Sequence, residues 1–332
     1  MKRRVLALAA GPLMALGLTI TPHAVWAQGA AVVKWDLPSG YGINTFQVQN
    51  LQWFADEVDK ATAGKLKITL HPGASLFKAN EIKRAVQSGQ TQIGEFILSG
   101  SANENALFGV DSIPFLATTY PEAKKLDDAS RPALEKLLAA QGMKLLYTVP
   151  WPGQSLYSKK PVASLADMKG TKMRAYNPAT TRIAELIGAQ PVTIQLAELP
   201  QALATGGVDN FLTSSASGVD SKLHEQVKFF YDVNAWLPRN AVVINTKAFD
   251  ALDKATQAAV LKVGAAAGER GWKVSDQKDD EYLKELAAKG MTVDRSSAKL
   301  KTELKAIGER MTGEWLKQAG AEGQAVIDTY RK

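Results

Sequence analysis

Among the residues able to do chemistry, Arg174 stands out by its position. It falls in an expected interior strand, residues 171–176, flanked by the apolar Met173 and Ala175, just ahead of Pro178, a residue suited to the first turn of a helix. A guanidinium on an interior strand requires an anionic partner, and its planar fork matches a carboxylate through two parallel hydrogen bonds. Either a protein carboxylate or a bound ligand can be that partner.

The catalytic alternatives are thin. The chain has no cysteine, which excludes thiol nucleophiles, disulfides and Cys-ligated metal centres. Its three histidines, His23, His71 and His224, are too few for a His-rich metal site. A secreted serine hydrolase would have to use Ser155 or Ser214 with His224. However, Gly153-Gln154-Ser155 lacks the second glycine of a nucleophile elbow, and neither glycine-rich phosphate-binding pattern occurs. The acidic clusters Asp127-Asp128 and Asp279-Asp280-Glu281 lie in strongly polar helical segments and read as solvated faces. No metal ligand set and no cofactor are expected. The aromatics Trp151, Phe211 and Trp236 fall at strand ends or in joints, where ligands of open α/β sheets bind, and they are expected to form a pocket wall.

These residues must be held by an alternation of strands and single helices, the pattern of open α/β sheets. Strands are expected at 32–36, 65–70, 92–98 and 143–149, and helices at 45–63, 81–87 and 121–140. After the turn-rich joint Trp151-Pro152-Gly153, a second round offers strands at 171–176, 191–194, 208–212 and 228–233, with a helix at 178–187. Residues 239–245 are apolar again and suit a return to the first sheet. Two helical stretches follow, at 248–288 and 297–330, with no strand longer than a few residues.

The 332 residues carry 45% hydrophobic and 22% charged side chains, a composition that does not suggest disorder. The net charge is +7, and three of the basic residues, Lys2, Arg3 and Arg4, open the chain. The rest are spread along it, which gives no case for nucleic-acid binding. After that basic start comes an apolar run to Ile20, interrupted by Pro12 and short for a membrane span. Val25-Trp26-Ala27 then presents small residues at −3 and −1. Residues 1–27 thus read as a cleaved signal peptide, and the mature protein is expected to be exported and not membrane-embedded.

Several segments resemble the DctP-type solute receptors of tripartite ATP-independent periplasmic (TRAP) transporters. They include Met143-Lys144-Leu145-Leu146, Leu165-Ala166-Asp167-Met168-Lys169-Gly170-Thr171-Lys172-Met173-Arg174, and Glu198-Leu199-Pro200-Gln201-Ala202-Leu203. Asp111-Ser112-Ile113-Pro114-Phe115-Leu116 and Val243-Ile244-Asn245-Thr246-Lys247-Ala248-Phe249 fit in the same order. The resemblance spans residues 32–290. It implies a two-lobed periplasmic-binding-protein fold with two open sheets joined by hinge strands and long C-terminal helices. On this reading, 28–151 with 240–279 form lobe I, and 152–239 with 280–332 form lobe II. It also implies a monomeric, non-enzymatic periplasmic receptor that closes on a small organic acid, holds its carboxylate on Arg174 and hands it to TRAP membrane subunits. A receptor feeding a sensor kinase would share the same fold and ligand.

Two departures bear on the ligand. Gln154 stands where many members carry a second arginine, and Val208-Asp209-Asn210-Phe211-Leu212-Thr213-Ser214 replaces a more polar stretch. A neutral amide and apolar residues there suit a monocarboxylate with an apolar or aromatic body, because unneeded buried polar groups would be left unpaired. The expected binding residues are Arg174, Gln154, Trp151, Tyr176 and Asn210. Phe211, Thr213, Trp236, Asn44 and Ser99 complete the set.

Overall fold

The computed structural model describes residues 32–332; the expected signal peptide lies outside them. Two parallel strands open the fold, β1 (Val33–Pro38) and β2 (Leu66–His71), joined by helix α1 (Phe46–Ala61). The Thr45 side chain caps α1 by accepting from the Val48 N–H, and the helix buries Leu51, Phe54 and Val58. It ends through Ala63 and Gly64, both at positive φ. Helix α2 (Ile82–Ser88) leads to β3 (Ile93–Ile97), and α3 (Tyr120–Ala140), with a capping box at Thr119 and Glu122, leads to β4 (Met143–Pro150).

The chain then crosses to a six-stranded sheet. Its strands are β5 (Ser155–Ser158), β6 (Lys172–Ala175), β7 (Gln190–Thr193), β8 (Asn210–Thr213), β9 (Phe229–Tyr231) and β11 (Thr292–Asp294), in the order β11-β9-β5-β8-β6-β7. Helices α4 (Pro178–Ile187), α5 (Leu199–Ala204) and α6 (Ser215–Asp220) fill the crossovers. Strand β10 (Arg239–Asn245) returns to lie between β3 and β4, antiparallel to both, as its apolar run suggested. The outgoing and returning connections pair with each other. Trp151 N donates to Pro238 O at 2.8 Å, Gln154 N to Trp236 O at 2.8 Å and Ala235 N to Gln154 O at 2.8 Å. The turn-rich joint is therefore a short two-chain ribbon between the sheets.

Two long helices finish the fold after the short α7 (Thr246–Asp250). The expected stretch 248–288 is broken at Asp253, whose side chain caps α8 (Lys254–Ala288) by accepting from Thr256 N. The N-terminal part of α8 packs on α1 and β4, and farther along Asp279 accepts from Ser215 Oγ of α6 at 2.9 Å. The strands of the described residues form three sheets, β1-β2, β3-β10-β4 and the six-stranded one, and this one helix braces the three-stranded and the six-stranded sheets. Helix α9 (Ala298–Arg331) divides likewise, with a non-helical residue at Gly320. Leu300, Leu304 and Met311 join the core of the second sheet, while Trp315, Val326 and Ile327 join the core built on α3. The division that puts all of 280–332 on lobe II is corrected accordingly. The end of α9 buries its apolar face against the first-sheet side, because the face α3 turns to it, with Leu134 and Leu138, is apolar.

Candidate functional site

Arg174 sits on β6, paired with Phe211 of β8 and Val192 of β7, one residue from the strand's carboxyl end. It is 3% exposed. Its Nε donates to Ile194 O at 2.9 Å, and its guanidinium lies 4.9 Å over the Tyr176 ring. No carboxylate among the described residues pairs with it. Burial pulls its pKa down to about 10, so it stays cationic at neutral pH. Arg239 is equally buried and shows what a structural arginine does here. Its Nε donates to Asp111 at 3.1 Å and its Nη1 to Asp127.

Arg174 faces a cleft of about 960 Å³ lined from both sheets. On its own side stand Gln154, Tyr176 and Thr213. The Tyr176 hydroxyl donates to Gln154 Oε1 at 3.2 Å, and Gln154 Nε2 donates to Pro152 O at 3.1 Å. Burial holds the Tyr176 hydroxyl well above its usual pKa, so it stays protonated. The opposite wall carries Tyr41, Trp151 and Glu95. The Tyr41 and Trp151 rings lie 4.9 Å apart, and Phe46 braces Trp151 edge-on at 5.3 Å. Trp151 Nε1 donates to Asn240 Oδ1 at 2.9 Å, and the Tyr41 hydroxyl donates to the same oxygen at 3.3 Å. Asn240 Nδ2 donates to Glu95 Oε1 at 2.9 Å, and Ser39 Oγ to Glu95 Oε2 at 2.6 Å. Burial raises the Glu95 carboxyl to about 7, although the two hydrogen bonds act the other way.

Five of the ten expected residues, Arg174, Gln154, Trp151, Tyr176 and Thr213, line this cleft. Ser99 stands behind it. Its Oγ accepts from Nδ2 of Asn177, a cleft residue, at 2.8 Å, tying the two sides of the molecule together. The other four lie elsewhere. Asn44 borders a separate hollow of about 90 Å³ with Leu196 and Asp220. Asn210 opens β8 and donates to Thr171 Oγ1 at 2.8 Å. Phe211 is fully buried and stacked on Tyr157 at 4.9 Å, and Trp236 is fully buried with Met173 and Leu156. The expected wall of Trp151, Phe211 and Trp236 is thus corrected to Trp151 with Tyr41. The reason lies in the sheet: Phe211 and Leu212 point to opposite faces of β8, and both faces are covered by apolar cores. Only Thr213, at the strand's carboxyl end, reaches the cleft.

Sequence reasoning missed Tyr41, Glu95, Asn240 and Ser39. Glu95 had a readable signal, since a carboxylate in Ile93-Gly94-Glu95-Phe96-Ile97 is as anomalous as Arg174 in its strand. The serine-hydrolase constellation does not assemble. Ser155 Oγ accepts from Asn234 N at 3.2 Å, Ser214 Oγ caps α6 at Ser217, and His224 hydrogen-bonds neither. Among the described residues no three His, Asp or Glu side chains converge to hold a metal ion, and no helix is long and apolar enough to cross a membrane.

Comparison with known proteins bears on the family and the fold. The model of the DctP family, described as bacterial extracellular solute-binding protein family 7, matches residues 41–318. The crystal structure of DctP6, a Bordetella pertussis extracytoplasmic solute receptor binding pyroglutamic acid, is 54% identical. It superposes with a TM-score of 0.89 over 90% of this chain and 99% of its own. DctP7 of the same organism, also binding pyroglutamic acid, is 45% identical with a TM-score of 0.90, over 91% of this chain and 100% of its own. The C4-dicarboxylate-binding periplasmic protein DctP of Rhodobacter capsulatus is 24% identical over 87% of this chain and 86% of its own. The chain belongs to the DctP family of bacterial extracellular solute-binding proteins.

Proposed function

We propose that this chain is a periplasmic receptor that captures a compact cyclic monocarboxylate of the pyroglutamate type and delivers it to the membrane subunits of a TRAP transporter. Arg174 carries the reading. Three cationic side chains line the cleft, and Lys83 and Arg182 are neutralised by Glu104 and by Glu314 with Glu185. Arg174 alone of the three lacks a carboxylate among the described residues, so the cleft offers one uncompensated cation, enough for one carboxylate. A second carboxylate would meet Gln154 or Glu95, one neutral and the other an anion once ionised. The Tyr41 and Trp151 rings offer flat apolar contact for a small ring. The likeness to two pyroglutamate receptors at 54% and 45% identity supports the same ligand class.

Calorimetry with L-pyroglutamate and succinate tests this reading. Wild type should bind pyroglutamate more tightly, and Arg174→Lys should weaken it at least about thirtyfold, because an ammonium cannot reproduce the two-pronged pairing. Tighter binding of succinate, or Arg174→Lys affinity within about threefold of wild type, overturns it.

A further inference from the structure

We infer that Glu95 is the specificity-determining acceptor of the cleft, receiving an N–H donor from the ligand ring whose carboxylate Arg174 holds. This rests on the carboxylate-capture reading and narrows it to acids with a ring or amide N–H. The orientation of the polar network carries the argument. A Trp Nε1 can only donate, so the Asn240 atom facing Trp151 at 2.9 Å is its oxygen. Asn240 therefore turns its amide nitrogen to Glu95 Oε1, and Ser39 Oγ donates to Oε2. Every donor in the chain from Tyr41 and Trp151 through Asn240 thus points toward Glu95. Once ionised, each carboxylate oxygen has one accepting direction still unused, and the side-chain partners of Glu95 among the described residues are Ser39 and Asn240, neither of them a cation. Glu95 lines the cleft together with Arg174, and the Tyr41 hydroxyl lies within electrostatic reach of both. The cleft so presents a fixed cation on one wall and a fixed acceptor on the other. A lactam acid satisfies both; a lactone acid of the same shape leaves Glu95 facing an ether oxygen.

The experiment compares L-pyroglutamate with its ring-oxygen analogue, 5-oxotetrahydrofuran-2-carboxylate, on wild type and Glu95→Gln, with circular dichroism to confirm folding. Wild type should prefer the lactam at least tenfold, and the variant should lose lactam affinity while keeping lactone affinity, so that the gap falls below threefold. Equal wild-type affinities, a gap that persists in Glu95→Gln, or equal losses for both rings overturn the inference while leaving Arg174 as the carboxylate anchor. If neither ring acid binds wild type, the capture reading itself fails and takes this one with it. Should Glu95→Gln not fold, the wild-type lactam-to-lactone ratio decides alone.

Discussion

At the scale of single residues, two buried arginines separate structure from function. Arg239 is held by Asp111 and Asp127, and Ser130 and Thr148 add hydrogen bonds to the cluster. Breaking such a set leaves an uncompensated buried charge, so Asp127→Ala should destabilise the unliganded protein by about 3–5 kcal/mol in urea titration. Arg174 has no such partner, and its burial is a cost that the folded protein carries until a ligand arrives. Arg174→Met should therefore be as stable as wild type or more so, while losing ligand binding. A loss above about 1 kcal/mol in that variant would show Arg174 to be structural. Glu95 makes a pH-dependent contribution of definite sign. The carboxyl titrates near 7 in the fold against 4.5 when exposed, so the folded state holds the extra proton between those values. Its contribution is full below about 4.5 and is lost as pH rises through 7. Facing it are Ser39, Asn240 and the phenols of Tyr41 and Tyr147, none of which ionises in that window. Glu95→Gln should flatten this part of the stability-versus-pH curve, and an unchanged slope from pH 5 to 8 would contradict the assignment.

At the scale of elements, the sequence was legible where a segment is long or strongly patterned. Helix α1, with its threonine cap and apolar stripe, and β10, an unbroken apolar run, lie where periodicity places them. Strand β5 was not legible, because four buried residues leave no alternation to read. The anomaly of a charge in an apolar strand pointed to Arg174 and equally marks Glu95, whereas Tyr41 reaches the cleft from a loop with no local signal. The partners of α8 and α9 were also hidden, since an amphipathic stripe says that a face is buried but not against what. Glycines on these helices make that packing testable. A Cβ at Gly271 would lie 2.4 Å from Val149 Cγ2 of β4, whereas one at Gly313 of α9 meets nothing within 4 Å. Gly271→Ala should lower the urea midpoint through overpacking. Gly313→Ala should raise stability by about 0.5–1 kcal/mol by reducing the entropy of the unfolded chain. A Gly271→Ala midpoint at or above that of wild type would mean that α8 does not press on β4 as described.

At the scale of the whole molecule, the cleft is larger than its proposed cargo requires. About 960 Å³ lies near the top of the range of roughly 300–1,000 Å³ that serves drug-sized ligands, and a five-membered ring acid is far smaller. Arg174 and Glu95 line this cleft from its two walls, so a ring acid that engages both bridges them. One covalent route between them is the narrow ribbon of Trp151–Gln154 against Ala235–Pro238, where few backbone hydrogen bonds need adjust for the sheets to rotate. Helices α8 and α9 also cross the divide and bound that rotation, because each buries one end against each side. A ligand that bridges the walls binds the closed arrangement better and shifts the population toward it by its differential affinity. Solution scattering should then show a smaller radius of gyration at saturating L-pyroglutamate for wild type. Arg174→Met, lacking the anchor on one wall, should scatter identically with and without the acid. Superimposable wild-type curves at a saturation confirmed by calorimetry would mean that the acid is held in the cleft without closure.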